Sequence, residues 1–234
     1  MTGIVDYNAG NISSVERALS ALNAPFILSK SPSALENCER LIFPGVGNAS
    51  YAMEQLRITG FDRFLKDWAK SGKLLMGICL GAQIIFEYSE EDNTECLGLV
   101  KGSVRHFASV RKELNANVGE NLKVPHMGWN DIDTVNGSSK LLEGIPPKSD
   151  FYFVHSYVMQ PEDKSVIKAV SDYGFPVPAC IESGNISAFQ FHPEKSGAQG
   201  LAILKNYVKK DCPSCRSGDR FLVGECDLEG GKIC

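Results

Sequence analysis

A chain of 234 residues, 43% of them hydrophobic, has the length of one large α/β domain and ample apolar material for its core. The formal net charge of −4 and the lack of any Lys/Arg cluster argue against a nucleic-acid footprint. The longest apolar stretch, Leu74 to Phe86, is broken by glycines and Gln83 and falls short of the ~20 residues a membrane span needs.

The chain opens on a strand-like Gly3-Ile4-Val5-Asp6-Tyr7 with neither a basic n-region nor a cleavage site, which predicts a cytoplasmic protein without a signal peptide. Asn11 is then placed to cap a helix whose Ile12, Val15, Ala18, Leu19 and Leu22 follow the helical period. Phe26–Leu28 and Leu41–Phe43 read as short buried strands, and Pro44-Gly45-Val46-Gly47 as a turn after the second. Phe61, Phe64, Leu65 and Trp68 share one helix face. Lys73–Ile78 reads as a buried strand and Leu80–Phe86 as the start of a helix. From Leu99 onward the strands shorten and turn signals appear, including Asn136-Gly137 and Ser183-Gly184. Phe151–His155 and Ile186–Phe191 are the clearest strands there, and a last helix spans about Gln199 to Lys209.

This βαβα rhythm predicts an α/β fold: a single flavodoxin-like domain over residues 1–208, with a central, mainly parallel sheet covered by helices and a smaller set of antiparallel strands. Of eight cysteines, Cys38, Cys79, Cys96 and Cys180 are scattered as free thiols usually are in cytosolic enzymes. Cys212, Cys215, Cys226 and Cys234 crowd into residues 209–234. Cys212-Pro-Ser-Cys215 has the spacing of half a zinc site, but the second pair is loosely spaced and no histidine is near. A Cys-rich mobile tail without metal is the expectation.

Two motifs carry chemistry. Gly77-Ile78-Cys79-Leu80-Gly81 joins a buried strand to a helix, and small residues on both sides let the backbone turn sharply and lift the thiol at the carboxyl end of the sheet. His192-Pro193-Glu194 closes a second strand, where Pro193 limits the bend so that Glu194 turns back towards the imidazole. Ligands in open α/β sheets bind outside the carboxyl ends of strands, and both motifs lie there. A Cys–His–Glu set supports acyl transfer through a thioester. Val46 or Gly47, with Leu80, offers peptide N–H groups for an oxyanion hole.

Gly-Ile-Cys79-Leu-Gly-x-Gln83 with Gln190-Phe-His192-Pro-Glu194 resembles the class I (triad) glutamine amidotransferases. More narrowly, Asp6-Tyr7-x-x-Gly10-Asn11, Pro44–Gly47, Pro125-His-Met-Gly-Trp-Asn130, Tyr152-Phe-Val-His-Ser-Tyr157 and Phe191–Ser196 resemble the glutaminase subunits of imidazole glycerol phosphate synthases. The likeness runs in order from about residue 3 to residue 208. It implies glutamine hydrolysis at Cys79, with His192 as acid/base and Glu194 as its orienter. Gly47, Gln83, Glu91, Ser156 and Tyr157 match positions that hold L-glutamine. Asn11, Met127, Trp129, Tyr152 and Lys195 match positions that face a cyclase (synthase) subunit in a heterodimer, which takes the ammonia for histidine biosynthesis. No cofactor is implied. Ala82 and Ala49 stand where Met and Phe are common in the family, which predicts a different pocket wall. A paralogous glutaminase feeding a sugar- or nucleotide-amidating synthase is the alternative, since its glutaminase half would look nearly the same.

Overall fold

A computed structural model describes residues 1–8, 11–114 and 122–209. Its first half runs β1 (Thr2–Val5), α1 (Ile12–Ala21), β2 (Phe26–Ser29), α2 (Pro32–Leu35), β3 (Arg40–Gly45), α3 (Ala49–Thr59), α4 (Phe61–Lys70), β4 (Leu74–Cys79) and α5 (Leu80–Gln83). Then come β5 (Tyr88–Ser89), β6 (Thr94–Glu95), β7 (Gly102–His106), α6 (Phe107–Glu113), β8 (His126–Asp131), β9 (Asp133–Thr134) and β10 (Asp150–His155). The described residues end with β11 (Tyr157–Pro161), β12 (Ile167–Asp172), β13 (Pro176–Ser183), β14 (Ile186–Phe189) and α7 (Gly197–Lys209).

One sheet of eight strands, in the order β2-β1-β3-β4-β14-β13-β12-β9, forms the centre. The first five are parallel and the last three antiparallel. The parallel part has the flavodoxin-like order, so the expected α/β class is observed. Side chains alternate across it. Leu41, Phe43 and Leu75 pack with Met53, Leu56, Leu65 and Trp68 of α3 and α4 on one face. Ile42, Leu74, Met76 and Ile78 pack with Val15 and Leu19 of α1 and Ile203, Leu204 and Tyr207 of α7 on the other. A strand buried on both faces must be apolar at every position, which is why β3 and β4 read as continuous apolar runs. The Tyr207 hydroxyl donates to the Leu41 carbonyl at 2.7 Å, and the Arg40 guanidinium donates to the Tyr207 carbonyl at 2.8 Å, tying α7 to β3.

Smaller antiparallel pairings, β10 with β8 and β11 with β7, flank the carboxyl end of this sheet. Among the described residues no helix is long and apolar enough to cross a membrane. The Cys-rich tail expected at 209–234 lies, from residue 210, outside the described residues.

Three local expectations are corrected. Asn11 stands at the start of α1 but its side chain makes no capping bond to the helix backbone; its Oδ1 accepts from the Ser14 hydroxyl at 3.2 Å. The helix after Cys79 stops at Gln83 rather than Phe86. The Phe86 N–H donates to the Gln83 carbonyl at 3.2 Å, three residues back, in place of the Ala82 carbonyl that an α-helix would use. The carbonyls of Ile84, Ile85 and Phe86 accept from Leu97, Leu99 and Gly98 at 2.7–2.9 Å, so the helix cannot continue past them. The strand expected over Ile186–Phe191 ends at Phe189; one more N–H still reaches β13 before the chain turns away to β10. Gln190 donates to the Ala179 carbonyl and His192 to the Tyr152 carbonyl, each at 3.0 Å.

Candidate active site

Cys79 ends β4 with φ 54° and ψ −111°, a conformation that an L-residue rarely adopts and that is often held at functional turns. The glycines around it make the turn possible. A Cβ on Gly81 would lie 2.0 Å from the Phe43 carbonyl oxygen, and one on Gly77 would lie 2.8 Å from the Gly81 carbonyl oxygen. Backbone atoms cannot yield as a flexible side chain does, so β4, the turn and β3 interlock only with glycine present. Gly81→Ala is therefore expected to lower the unfolding free energy by about 1–3 kcal/mol, read from urea denaturation.

The register of β3 against β4 pairs Gly45 with Cys79. Val46 and Gly47 consequently leave the sheet directly beside the thiol, and Gly47 has φ +97° with open space around its Cα. The thiol itself donates to the Val154 carbonyl at 3.8 Å.

His192 is supplied from the neighbouring strand. After β14 the chain enters a short 3-10 turn, Pro193–Lys195, that swings Glu194 back over the imidazole. His192 Nδ1 and Glu194 Oε1 are 2.7 Å apart, with both side chains buried at 2% and 1% exposure. By geometry Nε2 has no hydrogen-bond partner among the described residues, and Cys79 lines the same cavity as His192. Burial lowers the His192 pKa, but hydrogen bonding and charge from Cys79 and from Glu194 outweigh it and push the value up to about 9. The turn is fixed from behind by Ser196, whose hydroxyl donates to the His192 carbonyl at 2.6 Å and accepts from the Tyr152 N–H at 3.0 Å.

These groups meet in a cavity of about 320 Å³. Cys79, His192, Val46, Gly47 and Leu80 line it, as do all the positions matched to glutamine binding: Gly47, Gln83, Glu91, Ser156 and Tyr157. Gln83 is buried and donates through Nε2 to the Gln190 Oε1 at 2.9 Å and the Tyr157 carbonyl at 3.2 Å. Glu91 Oε2 accepts from the Ala49 N–H at 2.7 Å, and burial raises its pKa. Pro125, Val154 and His155 also line the cavity. They sit inside motifs the sequence displays, but nothing in the sequence assigns them to a wall. Ala82 and Ala49 are buried and are not among the residues lining it.

Of the positions matched to a partner face, Trp129, Tyr152 and Lys195 lie together. Met127 and Trp129 are 62% and 58% exposed on β8. Trp129 meets Tyr152 edge to face at 6.1 Å, and Lys195 Nζ lies 5.9 Å over the Tyr152 ring. Lys195 lines the cavity as well. Asn11 begins α1, which packs beside the Pro193–Lys195 turn.

Comparison with known proteins decides the family. The model of the family described as "Glutamine amidotransferase class-I" matches residues 3–210. The chain belongs to the class-I glutamine amidotransferases. Among relatives of this amidotransferase is "Imidazole glycerol phosphate synthase subunit HisH" of Nitratidesulfovibrio vulgaris, 45% identical over 88% of this chain and 95% of that one. A protein of the same name from Geobacillus kaustophilus is 46% identical over 89% and 96%. Solved structures share the amidotransferase fold at lower identity. One described as "Crystal structure of glutamine amidotransferase" has a TM-score of 0.66 at 19% identity, covering 88% of this chain and 96% of its own. "Structure of PurLQS from Thermotoga maritima" has a TM-score of 0.62 at 20% identity, covering 88% and 95%.

Proposed function

We propose that this chain hydrolyses L-glutamine through a Cys79 thioester and passes the ammonia to a cyclase subunit of an imidazole glycerol phosphate synthase. The observation that carries the chemistry is the buried His192–Glu194 pair, with His192 lining one cavity together with Cys79, whose thiol is raised on a strained turn. Relatives named as synthase subunits, at 45% and 46% identity, support the destination of the ammonia.

The Cys79 thiolate attacks the side-chain carboxamide carbon, and the developing oxyanion takes N–H groups from Leu80 and from the Val46–Gly47 segment. His192, protonated, gives its proton to the departing nitrogen, so ammonia and a thioester form. Neutral His192 then takes a proton from water, which attacks the thioester and releases glutamate. Glu194 holds the ring and favours its charged form, and transfers no proton itself. Glu91, an acid at the cavity wall, suits the α-ammonium group of the substrate.

Acylation requires the imidazolium, so activity is expected to fall as pH rises through about 9. The same raised value means that the charged ring stabilises the fold below its ordinary 6.5, with that contribution lost as pH rises through about 9. Glu194→Gln removes one of the causes that raise it. The alkaline limb of the rate profile, measured with partner present, is expected to move to lower pH, and an unmoved limb would remove Glu194 from this role. Glutamate release assayed with and without a candidate cyclase tests the function as a whole. No glutamate with either would reject it.

A further inference from the structure

His126 and His155 are buried titratable groups that the chemistry at Cys79 does not use. The pairing of β8 with β10 sets them side by side, at 2% and 5% exposure. His126 stacks on the rings of Phe153 and Tyr173 at 4.6 and 3.9 Å. His155 Nδ1 lies 2.7 Å from the Tyr157 carbonyl oxygen, and a carbonyl only accepts, so this nitrogen carries a proton. On a neutral ring His155 Nε2 is then a lone pair, and His126 Nδ1, 3.1 Å away, must donate to it. His126 Nε2 in turn accepts from the Asn130 amide at 3.3 Å. Asn130 is held by its own bonds, donating to the Asp172 carbonyl at 2.9 Å and accepting from the Asp131 N–H at 3.0 Å. A single order of protons satisfies the whole chain of bonds and keeps both rings neutral. Burial pulls the His126 pKa down to about 4, and burial, with the neighbouring His126 and His192, pulls that of His155 to about 3.

The chain of bonds ends on an atom that matters to the cavity. The Tyr157 carbonyl also accepts from Gln83, and Ser156 and Tyr157 are cavity wall. Its other end lies on β8, whose opposite side bears the exposed Met127 and Trp129. We propose that His126 and His155 are positioning residues that lock the Ser156–Tyr157 wall of the cavity to the exposed strand β8. The proposal rests on the reading of the cavity as a glutamine site. Movement of β8 would then reach the wall through two hydrogen bonds, from His126 to His155 and from His155 to the Tyr157 carbonyl, with Asn130 fixing the His126 ring from within β8.

The chain has only four histidines, which makes the rings separable by nitrogen NMR on the full-length protein with labelled histidine. Both rings are expected to be neutral and protonated at Nδ1 at neutral pH. A charged ring, or a proton on Nε2 of either, would overturn the proposal. Glutaminase kinetics with the cyclase present supply the second arm. Asn130→Ala and His155→Leu are expected to raise KM for glutamine about tenfold, the worth of one or two buried hydrogen bonds, with a smaller fall in kcat. His155→Asn, whose amide can still donate to the Tyr157 carbonyl, is expected to recover most of that loss. Unchanged KM, or no recovery by asparagine, would count against the lock. Should His155→Leu fail to fold, Asn130→Ala at its half-buried position and the NMR result decide. A wild-type chain without glutamine turnover would sink the glutaminase reading instead, and the proton order would still be tested.

Discussion

Cys79→Ala is expected to lower glutamine hydrolysis by at least about 10⁴-fold while leaving the fold intact. The side chain is small and its neighbours are backbone carbonyl and imidazole, so alanine leaves little unfilled space. What it removes is the thiol that, among the described residues, lines the cavity. Because nucleophile and base act as a unit, His192→Ala is expected to cost nearly as much, and the double variant little more than either. Glu194→Ala is expected to be milder, since the carboxylate acts through the ring. The measurement is glutamate production with the cyclase present, alongside thermal unfolding. Activity within about tenfold of wild type in Cys79→Ala would place the chemistry elsewhere.

The second large effect concerns the partner. The isolated chain is expected to hydrolyse glutamine about 10²–10³ times more slowly than the complex, the worth of one oxyanion donor. Gly47 has positive φ, no atom crowding its Cα, and an exposed position beside the thiol, so the Val46–Gly47 peptide has room to rotate. A partner stimulates only if it binds the donor-in arrangement more tightly than the other. Lys195 lines the same cavity as that segment, and its contact with Tyr152 leads on to the exposed Trp129. Trp129→Ala is expected to weaken the stimulation and leave the slow basal rate in place. Turnover measured for the chain alone, with the cyclase, and with the cyclase and its ligand checks both statements. Full activity in the isolated chain would contradict the switch.

Much of this site was legible in the sequence because steric need leaves few choices. Gly77 and Gly81 are readable as an elbow, since any larger side chain would strike the backbone of β3 or of the turn. His-Pro-Glu is readable as a paired imidazole and carboxylate because a two-residue step with proline returns the carboxylate to the ring. The two-faced burial of β3 and β4 shows in their unbroken apolar runs. Features that depend on distant pairing were not legible. The helix after Cys79 cannot run on past Phe86, because a later loop, Leu97–Leu99, donates its N–H groups to the carbonyls of Ile84, Ile85 and Phe86. The neighbours His126 and His155 are separated by 29 positions, and only the pairing of β8 with β10 brings their rings to 3.1 Å. Asn11 has the composition of a cap, but the backbone at its φ and ψ turns its side chain to Ser14.

The most direct test of the thioester is to treat the full-length protein and its partner with a glutamine analogue carrying an electrophile at the carboxamide position, then map the adduct by peptide mass spectrometry. One adduct per chain, on Cys79, slowed by excess glutamine and lost in His192→Ala at neutral pH, is the predicted result. Labelling at Cys38, Cys96 or Cys180 in preference to Cys79, or labelling that glutamine does not slow, would contradict it.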